Sequence, residues 1–411
     1  MLLVTVFPGF ATAGDDELLD VLLKNGTLTR DQYETLQKKS SHPRQKPLKK
    51  GLVFESPDEN FSIRIGGRVM VDGAWFADDK QDLNSGTELR RARIFIVGRL
   101  YKDWGFKGQY DFASNAVVVK DAFISYRGFN STVIRIGHFK ESFSLEEMSS
   151  SKYTTFMERA LPNIFAPGRN LGVGFMTHGE DWTFAGGAFG EDVGTQRSDD
   201  EGYGISGRAT FAPWHSKTEA LHLGLSVAFR QLGDDAGGKQ FSARPEAHIS
   251  SVRLVDTGVI PNVRHLTNVA VEAAWVGGPF SLQGEYIWSS VDRKKNQPYV
   301  NFKGAYAYAS WFLTGESRNY SARNGVFGRV RPLKNAGEGG IGAWEAAVRY
   351  SHLDLNDAPV SGGEENNITF GLNWYVNPRI RFMANYILVN TDTKAGNDDP
   401  EIFQFRAQVD F

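Results

Sequence analysis

The sequence predicts an all-β fold, a 16-stranded antiparallel transmembrane β-barrel with long inward-folded loops and a short N-terminal helical segment. From residue 61 onward, apolar and polar residues alternate in short segments separated by Gly, Asn and Asp turns, as in half-buried strands. Tryptophans recur near segment ends, like the aromatic girdles of membrane barrels, and the last segment alternates through to Phe411. A soluble β-sandwich would also alternate, but it would not need such girdles.

Composition excludes several other classes of protein. The 411 residues include 44 glycines and no cysteine, which rules out a disulfide scaffold and a thiolate metal site. No apolar run reaches the roughly 18 residues that a spanning helix needs. The net charge is 46 − 48 = −2, which favours no nucleic-acid partner. Histidines lack metal-ligand spacing and no catalytic motif is found, so we expect no metal, no cofactor and no enzyme activity.

The N-terminal part divides into two predicted regions before the barrel. Residues 1–13 resemble a signal peptide with a small-residue cleavage site at Ala11-Thr12-Ala13, although its basic front part is missing. A truncated start and a simple apolar tail are the alternatives. Residues 14–52 read as a helical hairpin, with a capping box at Thr29–Gln32, followed by a linker that contains Pro43 and Pro47. Residues 53–411 form the predicted barrel domain.

The requirement for an even number of strands determines which segments are predicted to be loops. Single-chain bacterial barrels have an even number of strands, and the weakest alternating segment, Phe241–Ile249, contains Pro245, which cannot donate to a ladder. Omitting this segment leaves 16 strands and creates a long fifth extracellular loop, from Gln240 to His265. The third loop, Lys140 to Asn170, is also long. We expect both to fold into the lumen and narrow it, because the third loop carries the apolar residues Phe143, Leu145, Phe156 and Leu161.

Charged residues on the strands are predicted to face inward, since an arginine on the lipid side at mid-bilayer costs about 2–4 kcal/mol. Rings of Arg or Lys in a pore favour anions, and Arg offers phosphate two parallel donors. A polar lumen with charges of both signs and no selectivity is the alternative. The predicted pore-lining residues are Arg64, Arg93, Arg135, Glu147, Arg159, Arg208, Arg230, Arg244, Arg349 and Arg381.

The sequence resembles the phosphate-selective porin O and P family over nearly the whole barrel. The matching motifs are Ile65-Gly66-Gly67-Arg68, Leu89-Arg90-Arg91-Ala92-Arg93, Val119-Lys120-Asp121-Ala122, Gly137-His138-Phe139-Lys140, Ser149-Ser150-Ser151-Lys152, Phe156-Met157-Glu158-Arg159, Phe280-Ser281-Leu282-Gln283-Gly284-Glu285-Tyr286 and Trp311-Phe312-Leu313-Thr314-Gly315-Glu316-Ser317-Arg318. The resemblance implies a channel in the bacterial outer membrane, surrounded by outer-membrane lipid and usually a homotrimer. It also implies passive uptake of inorganic phosphate, polyphosphate or other small anions.

By motif position, the resemblance also implies a set of substrate-binding residues. These are Arg68, Arg90, Arg91, Asp121, Lys140, Ser150, Ser151 and Lys152. Adjacent Arg90 and Arg91 cannot both point inward on a regular strand, so either a bulge presents both or Arg90 lies at the rim.

Glu147 departs from the family pattern, because it stands where the family has a site lysine. Either Lys140 or Lys152 supplies the missing cation, or the chain is not a tight phosphate binder. The alternative function is a general or weakly cation-preferring diffusion porin. Other classes are a lipid hydrolase, which would need a Ser-His pair on the lipid side, and a plugged structural barrel.

Overall fold

A computed structural model describes residues 14–39, 44–46, 52–113, 116–194, 200–233, 237–295, 297–394 and 396–411. The predicted signal peptide, residues 1–13, and most of the predicted linker lie outside the described residues.

The N-terminal part contains two short helices, α1 (Gly14–Lys24) and α2 (Arg30–Lys39). The predicted capping box precedes α2: the Thr29 backbone N donates to Gln32 Oε1 at 3.0 Å, and the Gln32 backbone N donates to Thr29 Oγ1 at 3.3 Å. Short strands at Arg44–Lys46 and Leu52–Glu55 pair with each other, and the second pairs with the start of the barrel. Within the described residues, no helix is long and apolar enough to cross a membrane.

The barrel strands alternate between long loops and short turns. They are β1 (Phe61–Ala77), β2 (Gly86–Leu100), β3 (Trp104–Asp111), β4 (Val118–Phe129), β5 (Thr132–Lys140), β6 (Arg169–His178), β7 (Trp182–Phe189), β8 (Tyr203–His215), β9 (Glu219–Gln231), β10 (Val263–Gly277), β11 (Phe280–Arg293), β12 (Val300–Phe312), β13 (Ala343–Asp357), β14 (Val360–Tyr375), β15 (Ile380–Asp392) and β16 (Glu401–Asp410).

The sheet closes on itself, because β16 pairs antiparallel with β1, from Glu401↔Ala77 to Asp410↔Arg68. Every sequential pair of strands is antiparallel, so the predicted 16-stranded barrel is confirmed. The omitted segment forms no barrel strand. Of its residues, only Ser242–Ala243 are extended, and they pair with Val255–Asp256 inside the fifth loop.

The two faces of the wall differ as the alternation predicts. Large apolar side chains are exposed on the outside, for example Ile124 (57%), Ile136 (58%) and Ile205 (56%). In water such exposure would be unfavourable, but in a bilayer these side chains meet acyl chains. Seven of the nine tryptophans lie near the short-turn ends of the strands, whereas Trp75 and Trp288 lie toward the loop ends. Trp344 stacks on Trp374 with ring centroids 5.5 Å apart.

Both long loops fold into the lumen, as predicted. The third loop, residues 141–168, buries all four predicted apolar anchors, Phe143, Leu145, Phe156 and Leu161. It contains a short helix, α3 (Leu145–Met148), and a 3₁₀ turn, Leu161–Phe165. The fifth loop, residues 232–262, packs against this 3₁₀ turn in a shared apolar cluster. Burying these side chains compensates the loop entropy lost on docking.

A third inserted segment also enters the lumen. Residues 313–342, here called the turn-side segment, connect β12 and β13 at the short-turn end. Phe327 and Val330 of this segment are buried, and Thr183 Oγ1 of β7 donates to the Ala322 carbonyl at 2.7 Å. The guanidinium of Arg318 lies 3.6 Å from the Phe327 ring centroid. Together with the two loops, this segment occupies much of the lumen.

Candidate functional site

An open cavity of about 490 Å³ lies in the lumen between β1–β5 and the third loop, and we call it the basic cavity. Among its described lining residues, eleven are basic and only Asp121 carries a carboxylate. The basic residues are Arg64, Arg68, Arg91, Arg93, Lys107, Arg127, Arg135, Lys140, Lys152, Arg159 and Arg169. The cavity is therefore strongly electropositive in a chain whose net charge is −2.

Arg68 lies where the third loop approaches β1. Its Nη1 donates to Ser151 Oγ at 2.7 Å, and Ser150 and Lys152 line the same space. Among the described residues, no carboxylate lies within ion-pair distance of Arg68. A buried guanidinium without a counter-ion is costly unless an anion or water meets it, so this position is suited to a transient anion.

A β-bulge in β2 presents both Arg90 and Arg91 to the lumen. Met70 of β1 pairs with Arg91, but Val71 pairs with Leu89, so Arg90 is the additional residue of the bulge. The alternative that Arg90 lies at the rim is therefore wrong. Arg91 Nε is buried without a hydrogen-bond partner among the described residues, which leaves a donor beside the cavity.

Glu158 of the third loop binds both bulge arginines. Its carboxylate accepts from Arg90 Nε and Nη2, each at 2.8 Å, and from Arg406 Nη2 at 2.7 Å, while Arg91 Nη2 is 3.9 Å away. Burial alone would raise the pKa of Glu158, but these arginines hold it well below its usual range. Arg90 thus anchors the loop, and Arg91 both anchors the loop and lines the cavity.

Asp121 of the cavity lining and Glu147, a buried residue outside that lining, each bind two cations that line the cavity. Asp121 lies 2.6 Å from Lys107 Nζ and 2.9 Å from Arg169 Nε. Glu147 lies 2.8 Å from Lys140 Nζ and 3.4 Å from Arg159 Nη1. Each group of three keeps a net charge of +1.

The cations beside Glu147 favour its ionised form. Burial alone would raise its pKa, but Arg159 and Lys140 lower it more, to about 2. Neither candidate lysine is free of carboxylates, since Lys140 pairs with Glu147 and Lys152 Nζ lies 3.6 Å from Asp410. Glu147 therefore neutralises a cation that the family pattern would leave available.

Residues 63–411 match the family described as phosphate-selective porin O and P. The chain belongs to this family. Porin O of Pseudomonas aeruginosa is 29% identical over 430 residues, covering 94% of this chain and 94% of Porin O. An uncharacterized protein of Caulobacter vibrioides is 34% identical over 369 residues, covering 86% of this chain and 73% of that protein.

Solved structures with low sequence identity share the fold. An anion-selective porin from Comamonas acidovorans gives a TM-score of 0.56 at 12% identity, covering 85% of this chain and 99% of that chain. OmpT of Vibrio cholerae gives a TM-score of 0.56 at 10% identity, covering 86% and 98%. The chain is an outer-membrane porin, a channel in the outer membrane of bacteria.

Three predicted pore-lining residues of this porin do not line an open passage. Arg208, Arg349 and Arg381 point inward but are only 4%, 1% and 2% exposed. Arg349 Nη2 binds Glu246 of the fifth loop at 2.5 Å, and Arg208 binds Glu272 and the Gly325 carbonyl of the turn-side segment. The prediction is wrong for these three because the inserted segments cover them.

The remaining predicted pore residues take different positions. Arg64 and Arg135 line the basic cavity without a carboxylate in ion-pair distance among the described residues, whereas Arg93 pairs with Asp111 at 2.6 Å. Arg230 lies outside the basic cavity and binds Glu141. Arg244 lines a separate cavity of about 260 Å³ between the third and fifth loops.

Sequence reasoning left several wall residues out of the predicted site. Lys107 and Arg169 hold Asp121, and Glu158 holds the bulge arginines. The alternation of β3 places Lys107 on the inner face, although the predicted site does not include it. Glu158 and Arg169 both fall in the predicted third loop, although Arg169 begins β6 in the structure. Their partners lie on other strands, so the loop position alone could not identify them.

Proposed function

We propose that this porin is an anion-selective diffusion channel whose basic cavity binds phosphate weakly. The observation that carries the proposal is the lining of that cavity, which among the described residues contains eleven basic side chains and one aspartate. Rings of Arg and Lys favour anions in a pore. The names of Porin O's family and of the anion-selective Comamonas neighbour support the same direction.

The candidate phosphate position lies between Arg68, Arg91, Ser150 and Ser151. Arg68 and Arg91 offer donors that lack carboxylate partners at hydrogen-bond distance, and the hydroxyls can donate to further phosphate oxygens. Binding is weak in this proposal because Glu147 occupies Lys140 and Arg159. The porin is also proposed to be a homotrimer, as the family resemblance implies.

Planar-bilayer recording of the purified porin tests this function. In a KCl gradient, the reversal potential is expected to favour chloride over potassium, and added inorganic phosphate is expected to reduce the chloride current. A reversal potential that favours potassium would overturn the anion proposal. An anion-selective channel that phosphate does not block would leave the general diffusion porin as the function.

Replacing Glu147 tests why binding is weak. Glu147→Gln keeps an acceptor for Asn163 Nδ2 but removes the charge that neutralises Lys140 and Arg159. We expect phosphate to block at a concentration lower by roughly tenfold, as a gained charge-assisted contact implies. Glu180→Gln, at an exposed turn, is the control. Equal block in both variants would remove Glu147 from the site.

A further inference from the structure

Aromatic side chains share the wall of the basic cavity with the cations. Three phenylalanines occupy inward positions on β2, β4 and β5, namely Phe95, Phe123 and Phe139, and Tyr153 of the third loop lines the same cavity. The Phe95 ring lies over Gly66, where an added Cβ would be 2.5 Å from the ring Cζ. Phe123 and Phe139 make an edge contact with centroids 5.8 Å apart. The Gly66 position thus makes room for a ring at the wall of a polar lumen.

Cations without counter-ions lie next to these rings. The Arg64 guanidinium is 5.6 Å from the Phe95 centroid, and the Arg135 guanidinium is 5.5 Å from the Phe123 centroid. Among the described residues, neither arginine has a carboxylate within ion-pair distance. The wall therefore presents pairs of one apolar ring and one available guanidinium.

Such pairs suit an amphiphilic anion better than an inorganic one. A hydrated phosphate or chloride ion gains nothing from an apolar ring, whereas a planar apolar group buries surface there and can stack. The cavity of about 490 Å³ is also within the range of about 300–1,000 Å³ that holds organic ligands, and far larger than one phosphate requires.

We propose that the basic cavity prefers organic phosphate monoesters with an aromatic or similarly apolar group. The phosphate would bind guanidinium donors such as those of Arg64 and Arg135, while the apolar group would lie on Phe95 and Phe123. This inference rests on the proposed anion conduction and specifies the class of anion. The competing explanation is that the rings only hold the arginine side chains in place.

Two esters that carry the same charged group separate these explanations. Phenyl phosphate and methyl phosphate are added in turn to the porin conducting chloride in a planar bilayer. We expect the half-blocking concentration of phenyl phosphate to be lower on the order of tenfold. Equal half-blocking concentrations in the unmodified porin would overturn the inference. A potassium-selective reversal potential in the same membrane would instead overturn the proposed function.

A double variant locates the preference. Phe95→Leu with Phe123→Leu keeps apolar side chains but removes both rings, and we expect the half-blocking concentrations of the two esters to become nearly equal. Phe184→Leu with Phe370→Leu is the matched control, because those rings are 46% and 50% exposed on the lipid side. If the double variant keeps the preference, or loses only its anion selectivity, the rings are not the binding surface.

Discussion

Arg68→Ala is expected to weaken phosphate block of the porin by roughly ten- to a hundredfold. A hydrogen bond to a charged group contributes about 1.5–3 kcal/mol, and 1.4 kcal/mol corresponds to tenfold in affinity. The only described side-chain partner of Arg68 is Ser151 Oγ, so removing the arginine breaks no ion pair among the described residues. The measurement is the half-blocking phosphate concentration together with the reversal potential.

Comparing Arg68→Lys with Arg68→Ala separates the effect of the positive charge from that of the guanidinium donor geometry. Arg68→Lys keeps the charge but loses the two-pronged donor arrangement, so it should keep anion selectivity and lose part of the phosphate block. Arg99→Ala is the control, because Arg99 lies at the short-turn end of β2, is half exposed and pairs with Glu55 at 3.2 Å. A phosphate block unaffected by Arg68→Ala would place Arg68 outside the binding site.

The wall of this porin could be predicted from the sequence because its determinants are local. Alternation with a period of two places each side chain on one face, and a proline excludes a segment from the interior of a sheet. Hence Arg64, Arg68 and Arg91 were correctly placed on the inner face. The apolar anchors of the third loop were also sufficient to predict that it folds inward.

Which of the inward side chains are buried under inserted segments could not be predicted in the same way. The alternation of β13 places Arg349 on the inner face. Its burial, however, depends on the fifth loop, whose Glu246 lies 103 residues away in the chain. Arg406 likewise binds Glu158 of the third loop, which lies 248 residues away in the chain. Nothing in the local pattern of either segment specifies which strand a loop will meet. The contacts of the turn-side segment with β7 and β8 could not be predicted for the same reason.

Glu285 shows how such a distant contact positions the candidate site. On β11, its Oε2 accepts from the Leu145 backbone N at 3.0 Å, and its Oε1 accepts from the Glu146 backbone N at 2.8 Å. These are the first N–H groups of α3, which have no partner within the helix. The Tyr306 hydroxyl donates to the same carboxylate at 2.5 Å. One side chain on the far wall thus holds the part of the third loop that precedes Ser150 and Ser151.

Glu285→Ala is therefore expected to loosen the third loop and widen the channel. Each buried polar group left without a partner costs about 1–3 kcal/mol, and two N–H groups and a tyrosine hydroxyl lose theirs. We expect a larger and noisier single-channel conductance, a loss of phosphate block and a lower unfolding temperature. Glu285→Gln, which keeps one acceptor oxygen, should give intermediate values, and Glu401→Ala at the exposed rim should give none of these effects.

The outcome of this variant separates two explanations of how the third loop is held. If Glu285→Ala conducts and binds phosphate like the unmodified porin, then the buried anchors Phe143, Leu145 and Phe156 suffice to fix the loop. If conductance rises while the barrel remains folded, the apolar contacts keep the loop in the lumen but do not set its position. In that case the geometry around Arg68 depends on a carboxylate across the lumen, since the serines that face Arg68 lie on the loop that Glu285 holds.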